Sequence, residues 1–261
     1  MKTTKNKKII KIEKQICQSE SFCSSVIGEK MLIEPKLKFT DITEVATLQY
    51  DKRRNSFKFL IKKTVEMEKE KEQNKKIIAL DPGFRTLLTG ISNDHIIEIG
   101  INPLEGIKNT ITKLNKIKKK KKIKNKKRTL MKYEDKINNY ITNMQNKIVN
   151  KITKEYDEIL IGNMSTKSIV EQDTIKKIKQ DANMLKIYQL REKLKNKCIK
   201  RNKKYKLINE YDTSKCCSNC GNKKMDLGDN KIYNCEKCNK NYDRDVNASK
   251  NILLKGLIKS K

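Results

Sequence analysis

Two cysteine pairs near the C-terminus constrain this chain more than any other feature. Cys217-Ser-Asn-Cys220 is followed by Gly221, and 14 residues separate Cys220 from Cys235-Glu-Lys-Cys238. A CxxC turn aims two sulfurs at one point, and two such turns at this separation can close a tetrahedral zinc site. The spacing predicts a structural zinc ribbon held by Cys217, Cys220, Cys235 and Cys238, with no open coordination position. Cys216 could exchange with Cys217 but would break the two-residue spacing. Cys17 and Cys23 lie in a Ser-rich patch without paired spacing and read as structurally unremarkable.

Thiolate ligands need a reducing compartment. The stretch 1–14 alternates Lys with Ile and lacks the apolar centre of a signal peptide. No run approaches the ~18–20 apolar residues of a membrane span. An intracellular location, cytoplasmic or nuclear, is therefore expected, with no membrane partner. His95 is the single histidine, which excludes mechanisms built on two, such as His-rich nickases and HExxH proteases.

Charge points to the partner. Against 31 acidic residues stand 62 Lys and Arg, a formal net charge of +31, as in proteins that bind polyanions. Only seven of these are Arg, in a chain also rich in Ile and Asn, so part of the excess is what AT-rich coding supplies. The densest run is Lys116 to Arg128. Within it Lys118, Lys119, Lys120, Lys121, Lys122, Lys124, Lys126, Lys127 and Arg128 are the candidate nucleic-acid contacts. Such a run suits sequence-blind contact with phosphates, and reads equally as a solvated helix face or a nuclear-import patch. Aromatics make up 5% and Trp is absent, so electrostatics rather than base stacking should dominate binding.

Along the chain, residues 1–74 form a preamble with short strand candidates in LIEPKLKF, VATLQY and FKFLIKK, ending in a mixed-charge linker at 66–72. From Lys75 the texture changes. KKIIALD, TLLTGIS and HIIEIG read as three strands with tight connections, an antiparallel meander. Residues 107–155 read as one or two helices, YDEILIG as a fourth strand, 175–203 as a basic helix, YKLINE as a fifth strand and NASKNILLK as a last helix. That order is the layout of an α/β, RNase H-like domain: a mixed sheet with flanking helices, here with an inserted zinc ribbon and a short β-rich N-terminal segment.

Three acids fall where such a fold places its chemistry. Asp81 ends the first strand before Pro82-Gly83, Glu210 ends the fifth, and Asp245 precedes the last helix. Carboxylates converging on one rim suit Mg²⁺, and a pair of such ions can support phosphodiester hydrolysis. On the residues alone, each acid reads equally as a turn former or helix cap.

Asp81-Pro-Gly-Phe-Arg-Thr86, the block from Tyr211 to Gly221, and Asp243-Arg-Asp-Val-Asn-Ala-Ser-Lys-Asn-Ile252 resemble the three blocks of the TnpB family, to which the Fanzor proteins are similar. The resemblance covers about 75–255, with the ribbon directly before the final block. It implies a RuvC-like nuclease domain, RNA-guided and Mg-dependent cleavage of DNA, a guide RNA as partner, association with a transposable element, and kinship with type V CRISPR effectors. It divides the chain into an N-terminal segment (1–74, a wedge remnant and linker), a RuvC-like core (75–210), a zinc ribbon (211–242) and a closing block with its helix (243–261).

Two departures stand out. The family carries a catalytic Glu after the fourth strand, where this chain has Gly162 in Ile159-Leu-Ile-Gly162. Fanzor-like members place that Glu just before the ribbon, and Glu210 fits; neighbouring strand ends lie only ~5 Å apart, so either could reach the same metals. The resemblance thus implies Asp81, Glu210 and Asp245 as the catalytic, magnesium-binding set, with Asp243 as rival to Asp245. The second departure is the short front end, which lacks room for the family's helical recognition insertion and implies N-terminal truncation. The competing reading is a non-enzymatic nucleic-acid-binding relic. A small zinc-ribbon accessory protein would explain the Cys and Lys but not the blocks around Asp81 and Asp245.

Overall fold

The computed structural model describes residues 7–13, 44–52, 54–62, 75–93, 95–120, 125–163, 181, 183–224 and 230–258. They belong to two compact units, Met1–Glu66 and Met67–Lys261.

The first unit contains a three-stranded antiparallel sheet of β1 (Lys7–Ile12), β2 (Ala46–Asp51) and β3 (Ser56–Leu60), in that order. A short turn joins β2 to β3, with Asn55 in the left-handed region at φ +48. The Lys–Ile alternation of the N-terminus is strand β1, paired with β2 in a register running from Lys7↔Asp51 to Ile12↔Ala46. LIEPKLKF, Cys17, Cys23 and the charged run 66–72 lie outside the described residues.

The second unit is built on a five-stranded sheet. β4 (Ile77–Pro82), β5 (Thr86–Ser92) and β6 (Ile96–Ile101) form the antiparallel meander. β7 (Glu158–Gly162) pairs parallel to β4, and β8 (Lys204–Ile208) parallel to β7, giving the order β6-β5-β4-β7-β8. Parallel neighbours need crossovers, and helices supply them. α1 (Lys108–Lys119) and α2 (Lys126–Glu155) connect β6 to β7, and α3 (Ile187–Lys200) lies between β7 and β8. α4 (Arg244–Ile258) covers the other face.

The central strands are apolar without a break because both faces are covered. On one face Ile78, Leu80, Ile159 and Ile161 pack with Leu114 of α1, Ile137, Ile141 and Ile152 of α2, and Leu190 and Leu194 of α3. On the other, the alternate residues Ala79, Leu160 and Ile208 pack with Ile252 of α4. The one-residue alternation between faces is the pleat of the strand.

The one or two helices expected over 107–155 are two: α1 ends at Lys119 and α2 begins at Lys126, after Asn125, which is left-handed at φ +56. The Lys126 ammonium caps α1 by donating to the carbonyls of Lys118 and Lys120. One expectation is adjusted: the fifth strand ends at Ile208, not at Glu210. The Asn163 side chain takes the Glu210 N–H at 3.1 Å, so a side-chain bond replaces a further rung of the ladder.

Candidate active site and zinc centre

The ribbon forms where its turns require. Gly221 N–H donates to the Cys217 carbonyl at 2.9 Å, closing the first knuckle, and Gly221 itself is left-handed at φ +73. Asn239 takes the same conformation after the second pair, at φ +51. β9 (Ile232–Asn234) and β10 (Asn241–Asp243) pair antiparallel around that knuckle. The four predicted sulfurs lie within 4.8 Å of one another, with Cys217–Cys238 at 3.7 Å and Cys220–Cys235 at 3.5 Å. That spread fits a tetrahedral zinc with Zn–S near ~2.3 Å. The Cys238 backbone N–H lowers the Cys235 thiol to about 6, favouring the thiolate that zinc takes. Fully buried Tyr233 fills the ribbon, donating to the Lys215 and Asn222 carbonyls at 3.1 and 3.0 Å. Cys216 is not in the cluster; its carbonyl accepts from Asn247 at 2.7 Å and Asn251 at 2.8 Å.

The three acids meet at one rim. Leu80 pairs with Ile161, so Asp81 and Gly162 are the next step on neighbouring strands, and Gly162 pairs with Ile208 of β8. Glu210 follows two residues later. Its carboxylate lies over Gly162 so closely that a Cβ there would collide with Glu210 Oε1 and stand 2.6 Å from Cδ. Glu210 occupies the space that a side chain at 162 would fill. Asp245 arrives on the first turn of α4, which is tied to the sheet beside Asp81: Ser249 Oγ donates to the Thr89 carbonyl at 2.8 Å, and Thr89 is the register partner of Asp81.

Electrostatics report the same convergence. Burial, then the charges of Glu210 and Asp245, hold the Asp81 carboxyl well above the usual carboxylate range, with Arg244 offsetting part. Asp245 is raised by burial and by Asp243, with Arg244 and Arg85 opposing. Crowded like charges at a buried rim are the chemistry of a divalent-cation site, and the residues present fit Mg²⁺. Asp243 plays a different part, because its Oδ1 accepts the N–H groups of Asp245 at 2.9 Å and Val246 at 3.1 Å and so caps α4.

Sequence reasoning passed over the residues that lock this arrangement. Asn247, Ser249 and Asn251 are buried polar side chains on α4. Asn247 Oδ1 accepts the Ser218 N–H at 2.9 Å, and Asn251 donates to the Thr213 carbonyl at 2.7 Å, so α4 grips the base of the ribbon. The available signal was two Asn one helical turn apart on the face that carries Ala248 and Ile252. Of the basic candidates, Lys118, Lys119, Lys120, Lys127 and Arg128 are exposed and Lys126 is engaged in capping; Lys121, Lys122 and Lys124 lie outside the described residues.

Raised acids carry a stability signature. In the metal-free fold Asp81 holds its proton at pH values where the unfolded chain releases it. Its stabilising contribution is present below about pH 4 and is lost as pH rises toward the raised value. Asp81→Asn should therefore raise the metal-free Tm at neutral pH, by about 2–4 °C per kcal/mol of repulsion relieved. Mg²⁺ should raise the Tm of the native chain and not of the variant. Thermal melts across pH check both, and a variant less stable than the native chain at neutral pH would contradict the crowding.

A family model described as a probable transposase matches residues 59–173, and one described as Cas12f1-like, TNB domain, matches 188–252. Two TnpB-like proteins of Acanthamoeba polyphaga mimivirus are each 35% identical over 269 residues, covering 97% of this chain. The chain belongs to the TnpB family. The chain spans about half the length of the curated relatives it matches, 51% for each of these two. The TnpB fold extends to solved structures: Cas12f1, in its complex with sgRNA and target DNA, superposes with a TM-score of 0.52 at 14% identity, over 97% of this chain and 68% of that one. At that identity the likeness speaks to fold, and it supports the RuvC-like α/β architecture of this TnpB-family chain. Among the described residues no helix is long and apolar enough to cross a membrane.

Proposed function

We propose that this TnpB-family chain is an RNA-guided, Mg-dependent DNA endonuclease. Asp81, Glu210 and Asp245 hold two Mg²⁺ ions, and Cys217, Cys220, Cys235 and Cys238 hold one structural zinc. The observation that carries the reading is the fit of Glu210 over Gly162, beside Asp81. A carboxylate missing from one strand end is supplied from the next, a placement of the Fanzor kind. The chain then divides as the resemblance implies, into 1–74, the core 75–210, the ribbon 211–242 and the closing block 243–261.

Bound magnesium would activate a water and neutralise the departing oxygen of a phosphodiester. The chain's own groups prepare that event. Asp81, raised by burial and then by the charges of Glu210 and Asp245, would be the carboxyl to release its proton to a bound cation, whose charge would offset both. Asn163 holds the backbone of Glu210, and the Asp243 cap and Ser249 hold Asp245 at the head of α4. Arg85 and Arg244 lie within electrostatic reach of the rim and draw in phosphate.

The test is cleavage by the full chain loaded with its copurifying RNA, on DNA duplexes complementary to that RNA. Cutting with Mg²⁺, abolished by chelation and by Asp81→Asn, is expected. A chain that retains RNA and DNA but never cuts would favour the non-enzymatic relic.

Binding itself should be largely electrostatic. Changing Lys118, Lys119, Lys120, Lys127 and Arg128 to Gln should lower affinity for DNA and RNA alike. The slope of log affinity against log salt should flatten by ~0.7–0.9 for each phosphate that is no longer neutralised. An unchanged slope would make the run a solvated face.

A further inference from the structure

Aromatic residues are scarce in this chain, at 5% with no Trp, yet two tyrosines stand out into solvent beside the acidic rim. Tyr211 is 73% exposed and directly follows Glu210; Tyr188 is 63% exposed, in the first turn of α3. Each has a cation over its ring, Lys223 Nζ at 5.5 Å from the Tyr211 centroid and Arg191 Cζ at 6.0 Å from that of Tyr188. Arg191 also donates to the Gly162 carbonyl at 3.4 Å. Both pairs are thus anchored to the rim where Glu210 lies against Gly162.

The exposure of Tyr211 is not that of a loose loop. Its N–H donates to Asn209 Oδ1 at 2.9 Å, and its carbonyl accepts from Lys255. Thr213 ties the next turn back, donating from N–H and hydroxyl to the Glu210 carbonyl at 3.0 and 2.9 Å. Lys223 is held beside the ring by its ion pair with Asp212. A ring kept in water by a pinned backbone contributes little to packing and marks a contact surface. Single strands are held by this combination: unpaired bases stack on aromatic faces while neighbouring cations meet the backbone.

We propose that Tyr188 with Arg191, and Tyr211 with Lys223, form a two-point stacking platform for unpaired nucleobases of a single strand crossing the acidic rim. The proposal rests on the nuclease reading for the fate of that strand, not for its binding. A paired duplex keeps its bases stacked on one another and does not use the platform.

The test uses the full chain carrying Asp81→Asn, so that no strand is cut. Affinity is measured for a labelled single strand of about 12 nucleotides and for the same strand with abasic sugars at its centre. The base-bearing strand should bind roughly tenfold tighter or more. Tyr188→Leu and Tyr211→Leu should each remove most of that preference and leave abasic binding unchanged, while Tyr→Phe at either position keeps it. The abasic strand doubles as the folding control. As a second readout, a 2-aminopurine base at the centre should be quenched on binding. Equal affinity for the two strands, Leu variants that keep the preference, or an unquenched base would overturn the platform. Cleavage enters neither readout, so a chain that stacks bases but never cuts DNA would sink the nuclease reading alone.

Discussion

Replacing Cys235 with Ser should strip the chain of zinc and melt the ribbon. Four-cysteine modules of this size have almost no core of their own; here the buried set is Cys217, Tyr233 and Cys235. Their folding free energy is largely metal binding, on the order of 10 kcal/mol at neutral pH. The damage should spread in one direction. Asn247 and Asn251 fasten α4 to the carbonyls of Cys216 and Thr213, so loss of the ribbon frees the helix that carries Asp245. The sheet, with its own core under α1 to α3, should keep its amide protection. Metal analysis should find about one zinc in the native chain and none in the variant, with hydrogen exchange accelerated across 213–243. Zinc retained at full occupancy after Cys235→Ser would remove that residue from the ligand set.

The ribbon was legible in the sequence because its determinants are local: two knuckles, each closed by a residue able to take positive φ, Gly221 and Asn239. The meander was legible for a similar reason, since its apolar runs are short and separated by turns. β1 was not, because its partner β2 lies more than 30 residues away and alternating Lys and Ile reads equally as codon bias. Whether 107–155 held one helix or two was not legible, because Lys favours helix in both α1 and α2 and only the positive φ of Asn125 marks where α2 starts. At the site, Asp81, Glu210 and Asp245 could be named from the sequence, but the geometry relating Glu210 to Gly162 could not. It depends on β8 ending at Ile208 and on the Asn163 side chain drawing the Glu210 backbone across. Asn247 and Asn251 were invisible for a different reason: polar residues on a helix default to solvent, and only the ribbon's carbonyls give these two a buried role.

Glu210→Gln should abolish Mg-dependent cleavage as completely as Asp81→Asn, by roughly 10³-fold or more, the scale seen when one member of a cooperating catalytic set is removed. Gly162→Ala should be nearly as damaging for a steric reason. Its methyl would enter the space of the Glu210 carboxylate, forcing that side chain off the rim. Gly162→Glu in a Glu210→Ala background should recover part of the activity, because the truncated residue 210 vacates the space over 162 and the new side chain returns a carboxylate to the strand end. Single-turnover cleavage rates on one substrate compare all four variants. Equal loss from Asp81→Asn and Glu210→Gln is expected, and full activity in Gly162→Ala would mean that Glu210 does not act from where it lies.

The most direct measurement is the anomalous scattering of Mn²⁺, standing in for Mg²⁺, in crystals of the native chain and of Glu210→Gln. In the native chain, density should appear between the carboxylates of Asp81, Glu210 and Asp245, and in the variant it should weaken or vanish. Manganese bound by Asp81 and Asp245 alone, with Glu210 turned away, or no manganese at this rim, would contradict the shared site.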